Sequence, residues 1–273
     1  MKVKIFKIKI LFVRYLTLII FILFISLIIF IANGYIEKGP INCILNNFKE
    51  RGIYKETVSF QGQTMNLYIV NPKYDYEDIE NPVFEKDDKG YYYIGGELDI
   101  ILTNRNPLRR EALAIVRDIG GFFSKEFYIG HATVNISKDG KTMIESVGNI
   151  NEFYGVREIE NDWIKREINY ENDAQTIIGL RVKGLSNDQK DGIINSLKEK
   201  VGLKYNMNFV IPKKNSYYCT DLITRTFKEY GVTLDYDSLY PTGSDLIISE
   251  NTYPIFICER VEDGVFNIYY MGE

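Results

Sequence analysis

Histidine is almost absent from this chain: His131 is the single one in 273 residues. A common zinc site draws several ligands from histidine and cysteine, and one histidine with three cysteines offers little for it. No metal and no cofactor is expected. Three cysteines also exclude a disulfide framework. Cys43 and Cys258 could pair on the outside of a membrane, but ordinary buried thiols are the preferred reading. Proline (7) and glycine (21) are too scarce for a low-complexity or collagen-like chain. Positive charge is scarce as well. The formal net charge is -4, with no dense basic stripe beyond the N-terminus, so nucleic acid is excluded as a partner.

What the chain does have is one long apolar run. Tyr15 to Ala32 carries no charge and, as a helix, spans roughly 27 Å, close to the hydrocarbon thickness of a bilayer. Lys2, Lys4, Lys7, Lys9 and Arg14 precede it, while only Glu37 and Lys38 follow closely. The positive-inside rule then predicts a single-pass membrane protein with a cytoplasmic N-terminus and the remainder extracytoplasmic. No small-residue cleavage signal follows the run, which favours a retained anchor over a removed signal peptide. Ile41-Asn42 before Cys43 does not suit a lipoprotein cysteine.

Three parts are expected: residues 1–34 as cytoplasmic stub and anchor, 35–90 as a membrane-proximal subdomain, and 91–273 as the main domain. In the second part, Val58 and Phe60, the turn Gln61-Gly62-Gln63, then Met65, Leu67 and Ile69 predict a hairpin. Asn71 to Lys89 is acidic and turn-rich and reads as a solvated loop. In the third part, Glu97 to Thr103 predicts a strand, and Pro107 opens a helix that ends at Gly120-Gly121. Phe127–Ser137 and Thr142–Val147 follow as paired strands, then a strand at Thr176–Lys183. A helix over Asp188–Val201 has a capping box in Ser186 and Gln189 and a stop at Gly202. A helix from Cys219, a short segment over Asp245–Ser249 and closing strands around Phe256, Phe266 and Ile268 complete the order. The fold class is α+β, a central antiparallel sheet flanked by helices.

The chemistry concentrates at Tyr217-Tyr218-Cys219-Thr220-Asp221-Leu222-Ile223. Leu222, Ile223, Phe227 and Tyr230 recur at near-helical spacing, with Gly231 as a stop. Cys219 then falls in the first turn, among N–H groups that lack intrahelical partners. Those donors and the positive end of the helix dipole favour a thiolate. A buried structural cysteine is the plainer alternative.

A thiolate nucleophile needs a base, and His131 is the one imidazole available. Within its strand, Ala132, Val134 and Ile136 share one face while His131, Thr133 and Asn135 share the other, predicted to front a cleft. The carboxylate that would orient the ring is Glu145 on the next strand, provided the connecting loop has the right length. A two-residue turn would place Glu145 on the wrong face. A three-residue Lys138-Asp139-Gly140 loop, with glycine in the left-handed position, sets Glu145 opposite Thr133 and diagonal to His131.

Gly130-His131-Ala132, Ile144-Glu145-Ser146, Gly202-Leu203-Lys204-Tyr205 and Tyr218-Cys219-Thr220-Asp221-Leu222, in that order, resemble the permuted papain-like cysteine hydrolases of the YiiX/YaeF/YycO type. These are circularly permuted relatives of NlpC-type cell-wall peptidases and of lecithin:retinol acyltransferase-like enzymes. The resemblance covers Glu97 to Ser249 and implies a permuted papain-like fold with Cys219 as nucleophile, His131 as base and Glu145 as orienting acid. It also implies an oxyanion or substrate-positioning role for Tyr205 and Tyr218. One departure stands out: the family usually has Pro-Gly-Asp where this chain has Glu97-Leu98-Asp99. The expected function is a membrane-anchored cysteine amidase or peptidase working by acyl transfer. Its substrate would be a cell-envelope peptide or an N-acyl or lipid-linked amide. A lipid-directed thioesterase or acyltransferase, and an inactive envelope-binding module, are the alternatives.

Overall fold

The computed structural model describes residues 2–79, 83–104, 130–149, 153–168, 176–208, 212–235 and 241–273. The helix expected from Pro107 to Gly121 lies outside the described residues, as do the first residues of the strand expected from Phe127.

The chain opens with a helix, α1 (Lys2–Glu50), which continues past the expected break near residue 34 and carries Pro40 in its interior. Its two ends live in different surroundings. From Val13 to Ile29 the large apolar side chains are exposed, Phe21 at 57% and Leu23 at 64%. Near the other end, Ile41, Leu45 and Phe48 are buried in the main core. Among the described residues no helix is long and apolar enough to cross a membrane.

Thirteen strands follow among the described residues. β1 (Gly52–Phe60) and β2 (Gln63–Val70) form the expected hairpin, with Gln61 and Gly62 both at positive φ in the turn. β3 (Phe84–Lys86) and β4 (Tyr92–Ile94) pair as a small sheet, so structure begins inside the stretch expected to be a solvated loop. The others are β5 (Ile100–Thr103), β6 (His131–Asn135), β7 (Thr142–Asn149), β8 (Phe153–Glu160), β9 (Thr176–Val182), β10 (Lys204–Tyr205), β11 (Ser216–Tyr217), β12 (Thr252–Glu262) and β13 (Val265–Met271). Between them stand α2 (Trp163–Ile168), α3 (Asn187–Glu199), α4 (Cys219–Glu229) and α5 (Gly243–Ile248).

Nine of the strands form one sheet in the order β1-β2-β13-β12-β9-β5-β6-β7-β8. The hairpin of residues 52–70 is thus continuous with the main sheet through β2 and β13. That contact departs from the expected antiparallel sheet, because β2 and β13 run parallel, Thr64 opposite Val265 through Val70 opposite Met271. The core lies along the middle strands, where Ile100, Ile101, Leu102, Val134, Ile178, Leu180 and Phe256 are fully buried. α3 begins with the capping box read from the sequence: Ser186 accepts from the Gln189 N–H, and the Gln189 side chain accepts from the Ser186 N–H.

Leu98 sits at φ 63. A left-handed turn is made here without glycine, the residue that adopts it most cheaply. It delivers Asp99 to a buried cluster: Arg181 Nε donates to Asp99 Oδ1 at 2.8 Å, Arg181 Nη2 to Oδ2 at 2.7 Å, and the Gly96 N–H to Oδ2 at 2.6 Å.

Candidate active site

Three adjacent strands and one helix build the site. The β6–β7 register places Thr133 opposite Glu145 and Asn135 opposite Met143, which leaves a three-residue loop at 138–140. Gly140 adopts φ 66 there, the left-handed position that the loop chemistry required. From this register the Glu145 carboxylate reaches the imidazole diagonally: His131 Nε2 and Glu145 Oε2 lie 2.7 Å apart.

α4 lies against β6 and β7 and brings its first residue, Cys219, to the same point. Tyr218 is the N-cap residue, in an extended conformation and without a side-chain capping bond, so the first-turn N–H groups are left to other acceptors. The N–H groups of Ala132 and Thr220 interact with the Cys219 sulfur. The segment leading into the helix is fixed from several sides. Ser146 Oγ donates to the Tyr217 carbonyl at 2.6 Å, Arg225 Nη1 donates to Asp221 Oδ2 at 3.1 Å, and Thr220 Oγ1 donates to the Pro241 carbonyl at 2.6 Å.

Glu145 occupies Nε2, so Nδ1 is the ring nitrogen left for the sulfur. Nδ1 has no partner at strict hydrogen-bond geometry, yet His131 and Cys219 interact through their side chains. The two are close enough to couple. Charge follows the same line. Burial pulls the imidazole down, but Cys219 and Glu145 outweigh it and hold His131 at about 9. Burial pushes the Cys219 thiol up, and the opposing pull of His131 and the two N–H groups leaves it below its ordinary value. For Glu145, burial again raises, while His131 and Arg157 lower the carboxyl to about 2. The arrangement therefore favours thiolate, imidazolium and carboxylate in sequence.

The site is more enclosed than a polar strand face on an open cleft would be: His131 is 7% exposed, Cys219 8% and Glu145 1%. Trp163 of α2 covers one flank, its ring 5.8 Å from the imidazole and its Nε1 donating to Thr133 Oγ1 at 3.1 Å. Asn135, expected on the cleft-facing side, instead donates to the Ile94 carbonyl at 2.9 Å. Tyr205 is buried near the sulfur, close enough that charge on Cys219 helps push its phenol upward after desolvation, the larger cause. Its ring fills the space that a side chain at Gly148 would need, 2.7 Å from where a Cβ would stand. Tyr218 is also buried, and its phenol is raised chiefly by desolvation.

Two residues of the site were not anticipated from the sequence. Arg157 on β8 contacts Glu145 Oε1 through Nε at 2.8 Å and Nη2 at 2.6 Å. Trp163 was the other. β8 itself was missed because its buried positions, Gly155 and Val156, are adjacent rather than alternating, and only the run Phe153-Tyr154-Gly155-Val156 hinted at a strand.

The cysteines are thiols. Cys258 is buried, but Cys43 is exposed on α1, contrary to the reading of both as buried. Among the described residues no three histidine, cysteine, aspartate or glutamate side chains converge as a metal ion would require.

Residues 112–244 match the family model described as permuted papain-like amidase enzyme, YaeF/YiiX, C92 family. The resemblance to that family holds. The matched segment contains Cys219, His131 and Glu145, and the family it represents is one of cysteine hydrolases of the amidase kind. Among solved structures the chain is similar to one described as the crystal structure of metalloprotein yiiX from Escherichia coli O157:H7. The two share 13% identity with a TM-score of 0.43, over 59% of this chain and 96% of that one. No curated protein matches the chain.

Proposed function

We propose that the chain is a cysteine amidase or peptidase that acts by acyl transfer on an amide of the cell envelope. The observation that carries this reading is the line from Cys219 through His131 to Glu145, with the sulfur in the first turn of α4 and the carboxylate 2.7 Å from Nε2. The thiolate attacks the amide carbonyl, and the imidazolium gives its Nδ1 proton to the leaving amine. A water deprotonated by the same nitrogen then adds to the acyl-enzyme and releases the acid. Glu145 keeps the proton of the ring on Nε2 and balances the imidazolium charge. Tyr205, beside the sulfur, and Tyr218, the N-cap, are suited to line the oxyanion or the substrate.

The envelope assignment rests on the other end of the chain. The exposed apolar side chains of Val13 to Ile29, behind a lysine-rich lead, suit a tether to a bilayer, with the N-terminus cytoplasmic and the remainder outside. Residues 91–273 would then be the catalytic domain and 35–90 the part that joins it to the tether.

The test is a panel of acylating probes bearing amide, ester and thioester electrophiles, applied to the parent chain and to Cys219→Ala. Amide probes should label the parent and leave Cys219→Ala unmarked while its circular dichroism is unchanged. Labelling by long-chain thioesters alone would shift the assignment to a lipid-directed acyltransferase. Undiminished labelling of Cys219→Ala would end the thiol reading, and a parent inert to every probe would favour a binding module.

A further inference from the structure

The carboxylate behind the imidazole has two oxygens, and they do different work. Oε2 meets His131 Nε2 at 2.7 Å, whereas Oε1 takes two contacts from one guanidinium, Arg157 Nε at 2.8 Å and Nη2 at 2.6 Å. The sheet register makes this possible, because Glu145 on β7 stands directly opposite Arg157 on β8. The guanidinium is braced in turn, 5.3 Å over the Phe153 ring.

We infer that Arg157 is a positioning residue: its two-nitrogen grip on Oε1 turns the Glu145 carboxylate so that Oε2 meets Nε2 of His131, which leaves Nδ1 for Cys219. The inference rests on the reading of Cys219, His131 and Glu145 given under Proposed function. It extends the line by one member, which acts through Glu145. A planar guanidinium fixes a carboxylate plane in a way that a lysine, as a point charge, cannot.

Charge supports the same role. Among the described residues, the charged and titratable groups that meet Glu145 are His131 from β6 and Arg157 from β8. Cys219 from α4 lies beyond the ring, and Tyr205 from β10 lies beyond the sulfur. Without Arg157, a carboxylate that is 1% exposed would be opposed by the imidazole alone. Glu145 would take up a proton at higher pH, and its bond to Nε2 would loosen in mildly acidic solution.

The single histidine makes this measurable. In full-length protein labelled with 15N-histidine, every imidazole signal belongs to His131, and the strongly hydrogen-bonded Nε2 proton reports the Glu145 contact without any substrate. Arg157→Met should lose that signal about one to three pH units higher than the parent does, the size expected when a cation leaves a carboxylate. Arg157→Lys should fall between the two. Alkylation of Cys219 by iodoacetamide, followed in a Cys43→Ser background, should slow by about tenfold in Arg157→Met, roughly one pKa unit of lost thiolate support. An unchanged imidazole titration in folded Arg157→Met would overturn the inference. If Arg157→Met does not fold, Arg157→Lys decides by the same signal, and no shift there overturns it too. Should the shift appear while Cys219→Ala keeps full activity, the coupling stands and the proposed function fails instead.

Discussion

Two buried carboxylates are each gripped by an arginine, and only one of them keeps an oxygen for a second side chain. Asp99, on the turn before β5, gives both oxygens to Arg181 and receives the Gly96 N–H as well, so nothing is left over. Glu145 on β7 gives one oxygen to Arg157 and the other to His131. Their titrations run in opposite directions. Burial dominates at Asp99, which is completely enclosed, and its carboxyl stands above the usual range even beside Arg181. At Glu145 the two cationic neighbours prevail over burial, and the carboxyl falls to about 2. One pair is a closed joint; the other is open on one side to the imidazole. The difference lies in where the partners sit, since a buried arginine–carboxylate contact alone predicts neither outcome.

The largest effect that would break this contrast is on rate. Glu145→Gln should lower turnover of an amide substrate by about 10³–10⁴-fold, because a neutral amide no longer fixes the tautomer or supports the imidazolium. Initial rates with whichever probe labels the parent would check this, and a loss below tenfold would put Glu145 on the same footing as Asp99. Next in size is a loss of stability. Arg181→Met should cost about 3–5 kcal/mol by leaving Asp99 buried without its cation. The measurement is chemical denaturation. If the Arg181→Met protein retains enough fold to assay, its His131 signals should resemble the parent's.

The smallest effect is the sharpest, because it has a sign. Glu145 has a folded-state value near 2, below the ordinary 4.5, so its contribution to stability is present above about 4.5 and is lost as pH falls towards 2. The penalty of Glu145→Gln should therefore shrink between those limits. Asp99, raised above 3.8, behaves the other way: its ionisation works against the fold, and the stability it lends in acid is lost as pH rises through its folded-state value. The penalty of Asp99→Asn should grow on acidification. Thermal melts of both variants at several pH values between 2 and 6 would show opposite slopes, and parallel slopes would erase the distinction.

The pairing of His131 with Glu145 was partly legible in the residues. Period-two alternation around His131, together with a glycine suited to a three-residue loop, fixed the register that sets Glu145 opposite Thr133. The amphipathic spacing after Cys219 located the helix start, and the capping box located α3. What escaped depended on contacts far apart in the chain. Arg157 has meaning only once β8 lies beside β7, and β8 lacks a regular alternation. Trp163 gives no local sign that its ring stands by an imidazole. At residues 33–40, Asn-Gly and Gly-Pro look like punctuation, yet α1 runs through them and its far end is held by burial of Ile41, Leu45 and Phe48. Local propensity yielded there to tertiary packing.

The parallel seam between β2 and β13 has a consequence for how the molecule comes together. Asn66 and Asn267, joined across it at 3.1 Å, are 201 positions apart. A ribosome will have released the hairpin long before its partner strand exists, so the hairpin must wait with one flank unzipped. During that interval its bare rim is the place where a holding chaperone, or a neighbouring nascent chain, could attach.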